Sequence, residues 1–183
     1  MISEQLMQRI KTKDREAFKE LFDTYREKVY RMSYIILKDK TASEDVLQEV
    51  FIQVYLKIRD LKHTGAFEVW LYRITMNCCR KFIKKENKIN TINVNENYDT
   101  YTDIQDNEIN TPENIIVNQE LCKEVMNVLY ELPEHQRISL TLFYYNELSI
   151  KEIANVMKCA EGTVKSRLFH GKKYLKDRVA KII

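Results

Sequence analysis

At 183 residues, with only 3 Gly and 2 Pro among abundant Leu, Ile, Lys and Glu, the chain reads as all-α, with room for two small helical domains that each bury a modest core. No apolar run approaches the ~18 residues of a membrane span and MISEQLMQRIKTKDREAF lacks a signal-peptide core, which argues against direct membrane insertion and points to the cytoplasm. The net charge of +3 conceals a segregation: 19 Lys/Arg against 13 Asp/Glu over 1–90, none against 7 over 91–120, and 11 against 7 over 121–183, a layout that suits a polyanion touched at two places, although basic helices also bind acidic proteins or membrane surfaces.

Leu6, Ile10, Phe18, Leu21, Phe22, Tyr25 and Val29 form an apolar stripe through two helical segments, with Asp14 a cap between them. The stripe continues through Met32, Ile35, Ile36 and Leu37 until KDKT interrupts it. Thr41 and Glu44 have capping-box spacing and predict the start of the next helix, TASEDVLQEVFIQVYLKI. On it Leu47, Val50, Phe51, Val54 and Ile58 share one face, while Asp45, Gln48, Glu49 and Gln53 share another. A polar face of this kind is either simply solvated or a docking surface for a basic partner, and spacing does not choose between the two.

Residues 59–66, RDLKHTGA, read as a loop broken at Gly65. The following helix, FEVWLYRITMNCCRKFIKKENK, directs Phe67, Trp70, Leu71, Ile74 and Cys78 inward and turns basic at Arg80, Lys81, Lys84, Lys85 and Lys88. Trp70, Tyr72 and Phe82 interleaved with cations suit stacked bases and neutralised phosphate; rings in a core, with lysines complementing a helix C-terminus, are the alternative. Four Cys, at 78, 79, 122 and 159, form no C-x-x-C and the three His lie far apart, so neither a zinc site nor a cofactor is expected, only reduced, partly buried thiols.

Residues 87–114 are rich in Asn, Asp and Thr without helical period, as in a linker extended by self-repulsion. Thr111-Pro112-Glu113 suits the start of a helix carrying Ile116, Leu121, Val125, Val128 and Leu129, stopped near Pro133. Another helix spans 136–145. Ser149 and Glu152 then have capping-box spacing ahead of Ile150, Ile153, Ala154 and Met157; a break at 158–162 leads into a second helix with Val164, Leu168 and Leu175 inward and Lys165, Arg167, His170, Lys172 and Lys173 outward. Two short helices about a tight turn, the second basic on its free face, are what a DNA-reading helix-turn-helix requires. Two ordinary bundle helices kept soluble by lysines remain the bland alternative.

Four stretches, DVLQEVF (45–51), FEVWLYRITMN (67–77), LPEHQR (132–137) and LSIKEIANVMKCAEGTVKSRL (148–168), occur in an order and spacing that resembles bacterial RNA polymerase sigma factors of the extracytoplasmic-function (ECF) type, in the sigma-70 family, over nearly the whole chain. The resemblance implies a region 2-like domain over 1–88, an acidic linker over 89–114 and a region 4-like domain over 115–183. It implies docking of core RNA polymerase, on the clamp of the largest subunit, through Asp45, Gln48, Glu49 and Phe51, with the second domain on the flap. The −10 promoter element is then recognised and melted by Arg59, Lys62, His63, Trp70, Arg73, Asn77, Arg80 and Lys84. The −35 element is read by Thr163, Lys165, Ser166, Arg167, Phe169, His170, Lys172 and Lys173, the last two on phosphate. The chain departs from the family's usual pattern at Lys81, Lys84 and His170, and at Ala160, where a serine cap is common.

On this reading the chain is not an enzyme, since the polymerase supplies catalysis. It needs no homo-oligomer, and an anti-sigma protein, often membrane-anchored, controls it in response to stress. A dimeric regulator on a palindromic operator and a helical adaptor for an acidic protein are the competing expectations; the first predicts tight polymerase-independent DNA binding and the second no salt-dependent promoter affinity.

Overall fold

The computed structural model describes residues 2–90 and 124–180, with 86–90 as backbone only. Most of the expected linker, the expected helix start at Thr111, Ile116, Leu121 and Cys122 lie outside the described residues. Within them every regular element is helical, as the scarcity of Gly and Pro requires.

Helix α1 (Glu4–Lys11) begins at Ser3, whose hydroxyl accepts the Leu6 N–H, and α2 (Arg15–Leu37) begins at Asp14, whose carboxylate accepts the N–H groups of Glu16 and Ala17. Asp14 is thus the cap its position predicts. The Arg9 guanidinium, 2.8 Å away, and these amides hold its carboxyl below the usual range. Helix α2 closes on Lys38 in the left-handed region (φ 58°), and α3 (Lys40–Lys57) starts immediately on Asp39. The Thr41–Glu44 capping box is therefore not formed. Asp39, extended at φ −135°, places its carboxylate 2.6 Å from the Ala42 N–H and takes the cap, so α3 begins before Thr41 can.

The expected loop is two single 3₁₀ turns, Ile58–Asp60 and Thr64–Ala66, leading into α4 (Phe67–Asn90). Helices α2, α3 and α4 pack on one another around Leu21, Val29, Val50, Val54, Ile58, Phe67 and Leu71. Helix α4 is buried on two sides. Besides Phe67, Leu71 and Cys78, it encloses Tyr72, Thr75, Met76 and Cys79, leaving Trp70 and Ile74 only partly covered. Tyr72 is therefore a core residue and not part of an aromatic nucleic-acid surface.

In the C-terminal half, α5 (124–131) leads through Pro133 into α6 (Glu134–Leu140), whose last turn widens into a π-type turn over Thr141–Tyr145. Arg137, 5% exposed, donates Nη1 to the Tyr130 and Leu132 carbonyls, 3.4 and 3.3 Å away, satisfying groups left open at the end of α5. Helices α7 (Ile150–Met157) and α8 (Glu161–Val179) follow; α8 packs on α6, and α7 packs on α8 and on the π-type turn. Gly171 sits against Leu140: a Cβ there would lie 2.8 Å from Leu140 Cδ1, so the missing side chain sets the approach of α8 to α6. The two halves also touch. Helix α7 packs on α4 and α6 on α2, and Ile138, Leu142, Leu148 and Ile153 belong to the same contiguous apolar cluster as Leu71 and Tyr72.

Candidate partner and nucleic-acid interfaces

On α3, Asp45 and Gln48 are exposed and Glu49 half-buried, with the Gln53 amide donating to Glu49 Oε1 at 2.9 Å. Phe51 does not join them. It is 5% exposed, with its ring centroid 4.7 Å from Phe22 and 6.4 Å from Phe18, both near edge-on, so its aromatic area is spent on the core and it cannot be a docking contact. Instead Ile52 (53% exposed), Tyr55 and Leu56 (61%) continue the stripe begun by Asp45, Gln48 and Glu49 at helical intervals. The resulting face is acidic at one end and apolar at the other. Its signal was present as the position four beyond Gln48 and those three and four beyond Ile52, but apolar residues in a strongly apolar helix read as core.

The turns before α4 are braced by α1. Arg59 Nε donates to the Lys11 carbonyl at 2.9 Å, Lys11 Nζ to the Leu61 carbonyl at 2.5 Å, and Leu61 is buried, which leaves Lys62 and His63 exposed. Arg59 is thus occupied in fixing the loop. On α4, Trp70, Arg73, Asn77, Arg80 and Lys84 fall on one stripe at spacings of three and four; Arg73, Asn77 and Lys84 are exposed, Trp70 and Arg80 half-buried. Trp70 leans at 46° on Phe67, 6.0 Å between centroids. Arg73 Nη1 donates to Asn155 Oδ1 of α7 at 3.3 Å.

The helix-turn-helix forms as its capping signals predict. Ser149 Oγ accepts the Glu152 N–H at 3.3 Å while Glu152 Oε2 accepts the Ser149 N–H at 2.8 Å, closing the capping box of α7. Lys158, at φ 54°, ends it by donating its N–H to the Ala154 carbonyl. Helix α8 starts on Ala160, extended at φ −69° and ψ 149° but with no side-chain cap. Val164 is buried and Leu168 half-buried, whereas Thr163, Lys165, Ser166, Phe169, His170, Lys172 and Lys173 are exposed. Phe169, 66% exposed, meets His170 edge-on at 5.4 Å. Arg167 differs: half-buried, it directs Nη1 to Met157 Sδ and Cys159 Sγ at 3.9 and 3.6 Å, bracing the turn with part of its fork. A groove at the start of α8 is lined by Thr163, Ser166, Arg167 and His170 and, from α6, by His135 and Gln136, which the sequence did not single out.

Among the described residues no three His, Cys, Asp or Glu cluster to hold a metal. Burial pushes the Cys79 thiol up to about 12 and raises Cys78 as well, so neither is a ready thiolate. No helix among the described residues is long and apolar enough to cross a membrane.

Residues 21–89 match Sigma-70 region 2 and residues 122–175 match Sigma-70, region 4. The chain is 32% identical over 181 residues to the ECF RNA polymerase sigma-E factor of Haemophilus influenzae, covering 95% of this chain and 93% of that one. It is 29% identical to the ECF RNA polymerase sigma factor SigW of Bacillus subtilis, covering 98% and 97%. Among solved structures, the sigma factor RpoE of Bartonella quintana, in complex with the anti-sigma factor NepR, superposes with a TM-score of 0.75 at 16% identity, over 90% of this chain and 97% of that one. CnrH, in complex with the cytosolic domain of CnrY, superposes with a TM-score of 0.66 at 18% identity, over 94% of each. With both regions in their expected order on an all-helical fold and this identity along nearly its whole length, the chain belongs to the ECF family of RNA polymerase sigma factors.

Proposed function

We propose that this chain docks on core RNA polymerase through the Asp45, Gln48, Glu49, Ile52, Tyr55 and Leu56 face of α3, opens the −10 element over the Trp70 to Lys84 stripe of α4, and reads the −35 element with α8. The observation that carries this reading is the free face of α8. Lys165, Ser166, Phe169 and His170 stand clear of the core on a helix held by a capped partner and a tight turn, as entry into a major groove requires. Phe169 can meet a thymine methyl, Lys165 a guanine edge, and Lys172 and Lys173 the phosphates.

The division of labour follows from charge. Carboxylates one turn apart on α3 pair with arginines of the clamp, the adjoining apolar residues exclude water from those pairs, and the basic α4 and α8 faces neutralise DNA. Bond making belongs to the polymerase, and this chain acts in the cytoplasm. Control by an anti-sigma protein is part of the proposal, supported by the fold shared with RpoE of Bartonella quintana, which is held in complex with the anti-sigma factor NepR.

The test is run-off transcription with purified core polymerase on sheared genomic DNA. Promoter-specific transcripts that depend on this chain are expected. Asp45→Arg or Glu49→Arg should lower core affinity at least tenfold with helicity unchanged. Lys165→Ala with Phe169→Ala should abolish −35 dependence while core affinity stays intact. Absence of any specific transcript, or tight promoter binding by the chain alone, would overturn the proposal.

A further inference from the structure

Cations bonded to backbone carbonyls tie the loop between α3 and α4 to α1. Lys11 Nζ donates to the Leu61 carbonyl at 2.5 Å, and Arg59 Nε returns a bond to the Lys11 carbonyl at 2.9 Å. Lys13 Nζ reaches the Tyr55 carbonyl in the last turn of α3 while standing 3.6 Å over the Tyr55 ring. The end of α1 is shaped for this. With Lys13 left-handed at φ 68°, its N–H bonds the Ile10 carbonyl at 3.0 Å and that of Asp14 the Arg9 carbonyl at 3.1 Å, which closes a Schellman turn. The motif leaves the Lys11 carbonyl open, and Arg59 supplies its donor. Met7, Ile10 and Leu61 are buried in one apolar cluster, and α1 packs on the Ile58–Asp60 turn.

The clasped segment has need of outside support. Between its two 3₁₀ turns the chain runs extended, at φ −72° and ψ 110° for Leu61 and φ −122° and ψ 121° for His63. The Leu61 N–H bonds the Ile58 carbonyl at 3.2 Å and the Ala66 N–H the His63 carbonyl at 3.1 Å; Lys62 and His63 lie between these bonds, exposed. A segment ordered only on meeting its ligand loses entropy at that moment, which weakens binding, and a brace already present in the free chain removes that loss. Helix α1 provides the brace although it precedes residues 21–89, the stretch that matches Sigma-70 region 2.

We propose that Lys11 and Arg59 are positioning residues for the −10 element: their reciprocal clasp presets the Leu61–His63 backbone so that Lys62 and His63 meet the melted strand in place. Arg59 then acts through its Nε–H on α1 and not through its charge on phosphate. The DNA role rests on the function proposed above; the clasp itself does not.

Arg59→Gln and Arg59→Met separate the two roles. Gln Nε2 stands as many bonds from the backbone as Arg Nε and keeps an N–H for the Lys11 carbonyl, whereas Met has none. Both are neutral, so a difference between them belongs to the N–H. Hydrogen exchange on the full chain reads the clasp at the Leu61 and Ala66 amides. Exchange should quicken about tenfold in Arg59→Met and Lys11→Met and stay within about threefold of wild type in Arg59→Gln and Lys11→Arg. Holoenzyme carrying each variant, bound to a promoter fragment recovered by run-off transcription and pre-melted across its −10 element, reads the consequence. Affinity should fall about tenfold in the two Met variants and recover in Arg59→Gln and Lys11→Arg. Core affinity should be unchanged, and so should the slope of log affinity on log salt, since no phosphate contact is lost. A phosphate contact by Arg59 would instead leave Arg59→Gln as weak as Arg59→Met, both with the slope reduced by about 0.7–0.9. That result, or wild-type exchange at Leu61 and Ala66 in Lys11→Met, overturns the proposal. Circular dichroism checks folding, and if Lys11→Met misfolds, the Arg59 pair at the other end of the clasp still decides. A wild type that yields no promoter-specific transcript would remove the DNA role, while exchange in the four variants would still show whether the clasp holds the loop.

Discussion

Replacing Gly171 by Ala asks whether the recognition helix is held where the structure puts it. On an exposed helix position Gly→Ala stabilises by about 1 kcal/mol through backbone entropy. Here the new methyl would lie 2.8 Å from Leu140 Cδ1 and 3.3 Å from Cγ, and Leu140 is itself 3% exposed, so it has little room to withdraw. Overpacking a closed site costs about 1–3 kcal/mol, which leaves a net loss of about 1 kcal/mol. Truncating the obstacle reverses the sign: in a Leu140→Ala background the added methyl fills space and Gly171→Ala should stabilise by about 1 kcal/mol. The coupling of about 2 kcal/mol stands well above the ~0.5 kcal/mol scatter of independent sites. Hydrogen exchange of the α6 and α8 amides is the suitable assay, since the single Trp lies in the other half of the chain, and the net loss should speed exchange about fivefold. Equal effects of Gly171→Ala in both backgrounds would refute the close approach and with it the stated pose of α8.

Three further outcomes are expected. Ala160→Ser supplies the missing cap to a residue already in cap conformation, and should slow exchange of the Gly162 and Thr163 amides about fivefold, corresponding to about 1 kcal/mol. Ile52→Ser with Leu56→Ser removes exposed apolar area only, so core polymerase affinity should fall about tenfold, or 1.4 kcal/mol, while the thermal midpoint holds within about 2 °C; unchanged affinity would confine docking to the acidic end. Because burial raises the Cys78 and Cys79 thiols, their thiolates are scarce at pH 8 and form only on further alkalinisation or unfolding; iodoacetamide at pH 8 should label Cys159 in the native protein and reach Cys78 and Cys79 only after denaturation, as peptide mass spectrometry would read.

Local signals in the sequence carried far where one residue both names and makes the interaction. Asp14 and the Ser149–Glu152 box cap the helices they announce, and the apolar spacing of α2 and α7 is their buried face. Where two local signals competed, the nearer prevailed: Asp39, directly after the left-handed Lys38, caps the Ala42 N–H, so α3 begins at Lys40 before Thr41 can cap it. What the sequence could not supply depends on the second half of the chain arriving. Tyr72 looks like the outer side of an amphipathic helix until Tyr145 and Asn146 of the second half lie beside it, and Arg137 looks like a surface cation until the end of α5 supplies the carbonyls it bonds. The same holds at the sites. Helical spacing placed Asp45, Gln48, Asn77 and Lys165 on free faces and Phe51 on the apolar face of α3, where it meets Phe22, against the docking role the resemblance implied; Arg167 needed Met157 and Cys159 before its inward turn was visible.

Arg73 and Asn155 join the two halves of the chain. The Arg73 guanidinium on α4 donates to a neutral amide oxygen on α7 at 3.3 Å. A neutral acceptor makes a weaker bond than a carboxylate or a phosphate would. Asn155→Asp should therefore strengthen the contact, and Asn155→Arg should remove it.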